Sequence, residues 1–118
     1  MPRKYAAFAL EVPVSYHLSR VADSGDLVVL LHGFRESALV MARRALGDES
    51  LPCNVLVPNG PFPTPLRDKA TGRYDEAYAW YFLNHEREGL QVPPAPAVSY
   101  LQSLVKDLGF ENHRKILV

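Results

Sequence analysis

His32-Gly33-Phe34 is the stretch of this chain whose residue types and placement best suit chemistry. The five apolar residues 27–31 stop abruptly at His32-Gly33. Glycine lets a backbone approach a ligand with no side chain intervening. A short apolar run without polar alternation suits a strand covered on both faces, as in the middle of a parallel sheet, and such sheets form their sites at the carboxyl ends of their strands. Other chemistries find less support. There is no Gly-rich phosphate loop and no G-x-G-x-x-G after a strand. His85-Glu86-Arg87-Glu88-Gly89 begins like a zinc-binding helix, but Gly89 stands where the second histidine would be, so no metal site is expected. Cys53 is the single cysteine, which rules out an internal disulfide, and beside the apolar run 55–57 it reads as a small buried thiol rather than a nucleophile. Asp75-Glu76 and the charged run 86–88 read as solvated faces.

The elements that must position His32-Gly33-Phe34 follow from periodicity. Residues 5–12 and 14–21 read as two strands flanking Pro13, paired as an edge hairpin. In the second, Val14, Tyr16 and Leu18 alternate with Ser15, His17 and Ser19, so His17 falls on the wet face. Residues 22–25 make the turn into the central strand. A helix is expected over 37–46, with Ser37 as N-cap, a stripe of Ala38, Leu39, Ala42, Ala45 and Leu46, and Gly47 as the stop. A second parallel strand at 54–57 ends at Pro58-Asn59-Gly60-Pro61 and completes a strand-helix-strand crossover.

Residues 60–96 hold most of the ten prolines and six aromatics: Phe62, Tyr74, Tyr78, Trp80, Tyr81 and Phe82. This excursion reads either as a cover over the site or as aromatics plugging a surface gap in a satellite core. A clear helix follows over 96–108, with Pro96 in its first turn, an apolar stripe of Val98, Leu101, Leu104, Val105 and Leu108, and Gly109 as its stop. Residues 115–118 begin another buried strand. A parallel strand of this kind calls for a turn and a covering helix after it, so the sequence reads as interrupted at Val118.

Composition bounds the remainder. The 118 residues are 47% hydrophobic and 22% charged, an ordinary globular mixture for a single domain. Thirteen basic residues balance thirteen acidic ones, which gives no reason to expect nucleic acid or an anionic membrane as partner. No apolar run approaches the ~18 residues of a membrane span, and the start Met-Pro-Arg-Lys lacks the apolar core of a secretory signal. A cytoplasmic chain is expected.

Leu30-Leu31-His32-Gly33-Phe34, then the segment from Val57 through Pro58-Asn59-Gly60-Pro61 to Pro63, then Ala79-Trp80-Tyr81, then 112–118 stand in an order that resembles the carboxylesterase/phospholipase branch of the α/β-hydrolases, which includes acyl-protein thioesterases and small bacterial esterases. The resemblance covers nearly all of this chain and about the first half of that family's domain. It implies an incomplete α/β-hydrolase fold of about five strands, an N-terminal antiparallel hairpin followed by parallel strands, with two main helices, ending just before the nucleophile elbow. It also implies attack on an acyl ester or thioester by a serine in a G-x-S-x-G turn, assisted by histidine and an acid. No G-x-S-x-G occurs in residues 1–118, so the triad would lie beyond them, and His17, His32, His85 and His113 are not its base. What remains here is one amide of the oxyanion hole, the N–H of Phe34, with His32 and Gly33 holding the loop and Trp80 and Tyr81 lining or bracing the acyl pocket. The family commonly has a second glycine where Arg35 stands. No cofactor is implied.

Two readings result. One is the amino-terminal part of a serine ester hydrolase, inactive alone. The other is a non-catalytic half-domain that binds an acyl ligand or a partner chain, including a second copy of itself, through the open strand 115–118. His-Gly as a mere turn is the remaining alternative.

Overall fold

The computed structural model describes residues 1–2, 4, 6–84 and 89–118. Its centre is a four-stranded mixed sheet in the order β1-β3-β2-β10, with β1 Tyr16–Ser19, β2 Asp26–Val29, β3 Asn54–Pro58 and β10 Arg114–Leu117. β1 runs antiparallel to β3, while β2 is parallel to both β3 and β10. The fold class is therefore mixed α/β. Alternation along β2 divides its side chains between two cores. Leu27 and Val29 join Leu56, Val105 and Phe110 on one face, while Leu30 joins Val55, Val57, Ala38 and Met41 on the other. A helix covers each face: α1, Ala38–Leu46, lies over the second core and α2, Ala95–Asp107, over the first. The expected double coverage of the central strand is present, with Leu27, Val29 and Leu30 all buried. Cys53 is half-buried against the α1 core.

Local chemistry explains the boundaries. Ser37 caps α1 by accepting the Val40 N–H, and Gly47 ends it with φ of 58° while donating its N–H to the Arg43 carbonyl. Buried Asn54 fixes the turn before β2: its Oδ1 accepts the Val21 N–H and its Nδ2 donates to the Asp26 carbonyl. Arg20 donates to the Leu108 carbonyl and lies 4.8 Å over the Phe110 ring, tying β1 to the end of α2.

Several expectations are corrected. The N-terminal hairpin does not form. Residues 6–15 belong to no ladder, Phe8 and Leu10 are exposed, and β1 takes β3 as its antiparallel partner instead. Residues 6–10 carry no polar alternation, so they specify no face and no register. The sheet accordingly has four strands rather than five. The excursion over 60–96 carries three two-stranded ladders, β4 Phe62–Pro63 with β7 Tyr78–Ala79, β5 Leu66–Arg67 with β6 Tyr74–Asp75, and β8 Phe82–Asn84 with β9 Gly89–Val92. The buried face of α1 keeps Ala38, Ala42 and Leu46 of the expected stripe and adds Met41, while Leu39 and Ala45 are outside. Val98 of α2 is also exposed. Finally, β10 is not buried. It is the sheet's edge, and Ile116, Leu117 and Val118 are all exposed. The zinc-like segment 85–88 lies outside the described residues. No described helix is long and apolar enough to cross a membrane.

Candidate functional site

The carboxyl ends of the parallel neighbours β2 and β3 lie side by side, with α1 covering one face of the sheet and α2 the other, the place where open α/β sheets form a crevice. The two chain segments that emerge there are 30–36 and 59–63. The β2 ladder continues through Leu30, whose N–H reaches the Leu56 carbonyl, and Leu31, whose N–H reaches the Val118 carbonyl. His32 is thus the first residue past the strand, and it is buried.

The His32 ring is a clamp. Its Nε2 accepts the Gly60 N–H at 2.9 Å, so Nε2 carries no proton. The proton resides on Nδ1, which lies 2.7 Å from the Gly33 carbonyl and donates to it. Trp80 stacks on the ring at 4.9 Å between centroids and donates its Nε1–H to the His32 carbonyl at 2.9 Å. Tyr100 of α2 stacks on Trp80 in turn and donates its hydroxyl to the Asn59 carbonyl at 2.8 Å. Burial pushes that phenol up to about 12, so it remains a donor. Both polar atoms of the Asn59 side chain are engaged: Oδ1 accepts the Ala38 N–H at the start of α1, and Nδ2 donates to Ser15 Oγ. The two loops, both helices and the approach to β1 are therefore bound in one network.

Burial also sets the pH behaviour of His32, pushing its imidazole below the ordinary value of 6.5 against the opposing pull of the Gly33 carbonyl and Glu36. In the unfolded chain this imidazole takes up a proton at pH values where the folded one still resists. Its contribution to stability is therefore present above pH 6.5 and is lost as pH falls from there through the lowered folded value. Urea unfolding followed between pH 7.5 and 5 is expected to show declining stability, and His32→Gln to show a shallower decline. Equal slopes for the two proteins would contradict the assignment.

Beyond the clamp, 33–36 form a tight turn closed by the Glu36 N–H on the Gly33 carbonyl at 3.2 Å. Arg35 has φ of 59°, the only non-glycine residue with positive φ among those described, whereas Phe34 has negative φ. This pattern is a type II turn, with Phe34 at its second position and Arg35 at the third, where glycine is preferred. Arg35 thus stands at a position whose backbone favours glycine. Arg35→Gly is expected to raise stability by on the order of 0.5 kcal/mol, the left-handed strain relieved less the added freedom of the unfolded chain. Thermal unfolding reads this, and a lowered midpoint would count against the turn assignment.

The turn is anchored on its inner side. The Arg35 N–H donates to the Tyr78 carbonyl at 2.9 Å and the Tyr78 N–H to the Glu36 carbonyl at 2.8 Å. Glu36 folds back so far that a Cβ at Gly33 would lie 2.9 Å from its Oε1. Two hydrogen bonds from Arg44 hold that carboxylate and push it below the usual carboxylate range. The amide of Phe34, in contrast, has no hydrogen-bond partner among the described residues, and the residue is 62% exposed.

The candidates nominated from sequence are partly brought together. His32, Gly33, Phe34 and Trp80 form one cluster. Trp80 braces His32 from behind, and Tyr81 is exposed with no ring contact among those described. Asn59, Gly60, Tyr78, Tyr100 and the Glu36–Arg44 pair were not nominated. Pro58-Asn59-Gly60-Pro61 after a buried strand was the available signal for two of them. Tyr78, Tyr100 and the ion pair left no mark in spacing. Among the described residues no three His, Cys, Asp or Glu side chains gather as a metal site. The fold and site together define a layered α/β protein with a backbone amide presented at a strand terminus. Comparison with family models, curated proteins and solved structures returned no match to this chain.

Proposed function

We propose that residues 1–118 are the oxyanion-holding, amino-terminal part of a serine ester hydrolase of the carboxylesterase/phospholipase kind. It acts on acyl esters or thioesters through a Ser-His-Asp triad that lies outside these residues. One observation carries the reading. In the turn after β2, the amides of Arg35 and Glu36 are both hydrogen-bonded, to Tyr78 and Gly33, while that of Phe34 has no partner among the described residues, in a residue that is 62% exposed just past a buried strand. A preorganised N–H of this kind is what a developing alkoxide needs.

The serine oxygen would bond to the acyl carbon while the base takes its proton, and the carbonyl electron pair would move onto oxygen. That oxygen would be held by the Phe34 N–H and by the N–H of the residue after the nucleophile. Collapse would expel the alcohol or thiol, which receives the proton, and water would then release the acid. His32 has no part in moving protons: its Nε2 lone pair accepts the Gly60 N–H and its Nδ1–H is given to Gly33. Its role is to hold the turn in shape.

The test is direct. Residues 1–118 alone are expected to leave a p-nitrophenyl ester unhydrolysed, and the codons following residue 118 are expected to encode Gly-x-Ser-x-Gly. Turnover by the 118 residues that depends on a side chain within them would overturn the assignment of roles.

A second reading is favoured by β10. Arg114 and Val118 direct their N–H groups to β2, which leaves the amides of Lys115 and Leu117 facing away from it at the sheet's open edge. An edge of this kind accepts another strand. Concentration-dependent association abolished by Leu117→Pro would support a non-catalytic interaction module. A monodisperse monomer at high concentration would remove that reading.

A further inference from the structure

We infer that Phe34, Phe62 and Phe82 form the acyl-recognition surface of the site, and that the substrate's acyl group is an apolar chain of several carbons rather than acetyl; this rests on the oxyanion reading above. The three rings form a chain of edge contacts. Phe34 and Phe82 are 6.2 Å apart between centroids at 85°, and Phe62 and Phe82 are 5.7 Å apart at 62°. Edge-to-face geometry is the favoured arrangement for such rings, and Phe34 is exposed while Phe62 and Phe82 are half-buried. Each ring comes from a different segment: the turn after β2, the start of β4 and the start of β8. The β4–β7 ladder, which pairs Phe62 with Ala79, holds the second ring near the clamp made by Trp80.

Position argues for the acyl group as occupant. Phe34 supplies both the free N–H and the first ring, so a carbonyl oxygen bound at that amide has its acyl carbon within a few bonds of an aromatic wall. Trp80 and Tyr81, the residues nominated from sequence, do not fill this role. Trp80 is committed to His32 through both its face and its Nε1–H, and the Tyr81 ring pairs with none of the three among the described residues. The groove of about 710 Å³ between α2 and the β2–β10 edge, lined by Val29, Leu31, Val98, Leu101, Val105 and Leu117, is apolar too. It lies on the α2 side of the sheet and contains none of the residues of the oxyanion turn.

The probes are acetate and hexanoate, product-like carboxylates that share a head group and differ only in apolar length, titrated into the isotope-labelled 118-residue chain and read by amide shifts. Both are expected to move the Phe34 amide, hexanoate with about tenfold or greater affinity, a fraction of what four fully buried methylenes would give. Phe62→Ala combined with Phe82→Ala is expected to reduce that preference to less than about threefold, with the acetate shift at Phe34 retained as evidence that the turn is intact. Equal affinities in the parent chain would overturn the acyl surface and leave the oxyanion amide standing. Hexanoate shifts confined to Leu101 and Leu117 would assign the chain to the groove and overturn it likewise. No shift at Phe34 from either probe would overturn both the surface and the oxyanion reading beneath it.

Discussion

On the proposed ester-hydrolase reading, Phe34→Pro is expected to lower kcat for hydrolysis of a short p-nitrophenyl ester by about 100- to 1,000-fold in the polypeptide that also carries the nucleophile, because it would delete one of the two oxyanion donors that reading assigns. The substitution is suited to the purpose. Phe34 occupies the second position of a type II turn, where proline is favoured, and the preceding residue is glycine, which tolerates the restriction proline imposes. The N–H it removes has no partner among the described residues, so no hydrogen bond seen in the fold is lost. Urea unfolding of the two proteins should therefore differ only by the lost Phe34–Phe82 ring contact, about 1 kcal/mol, while their rates diverge. KM should change little, since the oxyanion exists only in the transition state. Phe34→Leu, which keeps the N–H, should retain most of kcat. A proline variant within a factor of about three of its parent would remove Phe34 from the mechanism.

Gly60→Ala is expected to destabilise the fold by about 3 kcal/mol, near the upper end for an added methyl in a packed site. A Cβ there would stand 2.6 Å from the Ala79 carbonyl oxygen and 2.9 Å from its carbon. Both are backbone atoms, which cannot swing aside as a side-chain end would. Relief requires the 59–63 segment to back away from β7, and that motion draws the Gly60 N–H off His32 Nε2. The variant should thus show a second signature, a His32 imidazole that is less well held and a flatter decline of stability below pH 6.5. A urea-derived loss under about 0.5 kcal/mol would mean that the close approach of these two backbones is not structurally required.

The ion pair on the turn is of a different order. Arg44 and Glu36 keep 55% and 31% of their side chains exposed, so their attraction is screened and adds little stability. Its consequence is local: it holds the Glu36 carboxylate beside Gly33, within reach of the turn that presents Phe34.

Much of this arrangement was legible in the residues themselves, wherever a local rule and the tertiary context agree. Ser37 and Gly47 bound α1, Gly109 follows α2, and the unalternated run 27–31 is the central strand, because capping, left-handed glycine and two-sided burial each act within a few residues. The same reasoning failed where the deciding partner is far along the chain. Residues 6–12 look like a strand by composition, yet β1 pairs with β3, whose fully buried residues offer the antiparallel neighbour that the N-terminal segment does not. The stripe on α1 was assigned from spacing, but which of several apolar faces turns inward is settled by Val55 and Val57 beneath it, and they select Met41 over Leu39.

At the site the division is sharper. Residue order alone determined that His32-Gly33-Phe34 closes a buried strand. Only the assembled chain decided that Gly60, twenty-eight residues from His32, fixes the tautomer of that ring, that Tyr78 ties down the amide of Arg35 while that of Phe34 keeps no partner among the described residues, and that Phe62 and Phe82 come to rest beside the Phe34 ring. The physical reason is range. Propensity and capping are set by neighbours a few residues away, whereas a proton's position, a free N–H and a wall of rings depend on hydrogen bonds and contacts between segments that meet only when the sheet and its two helices have packed.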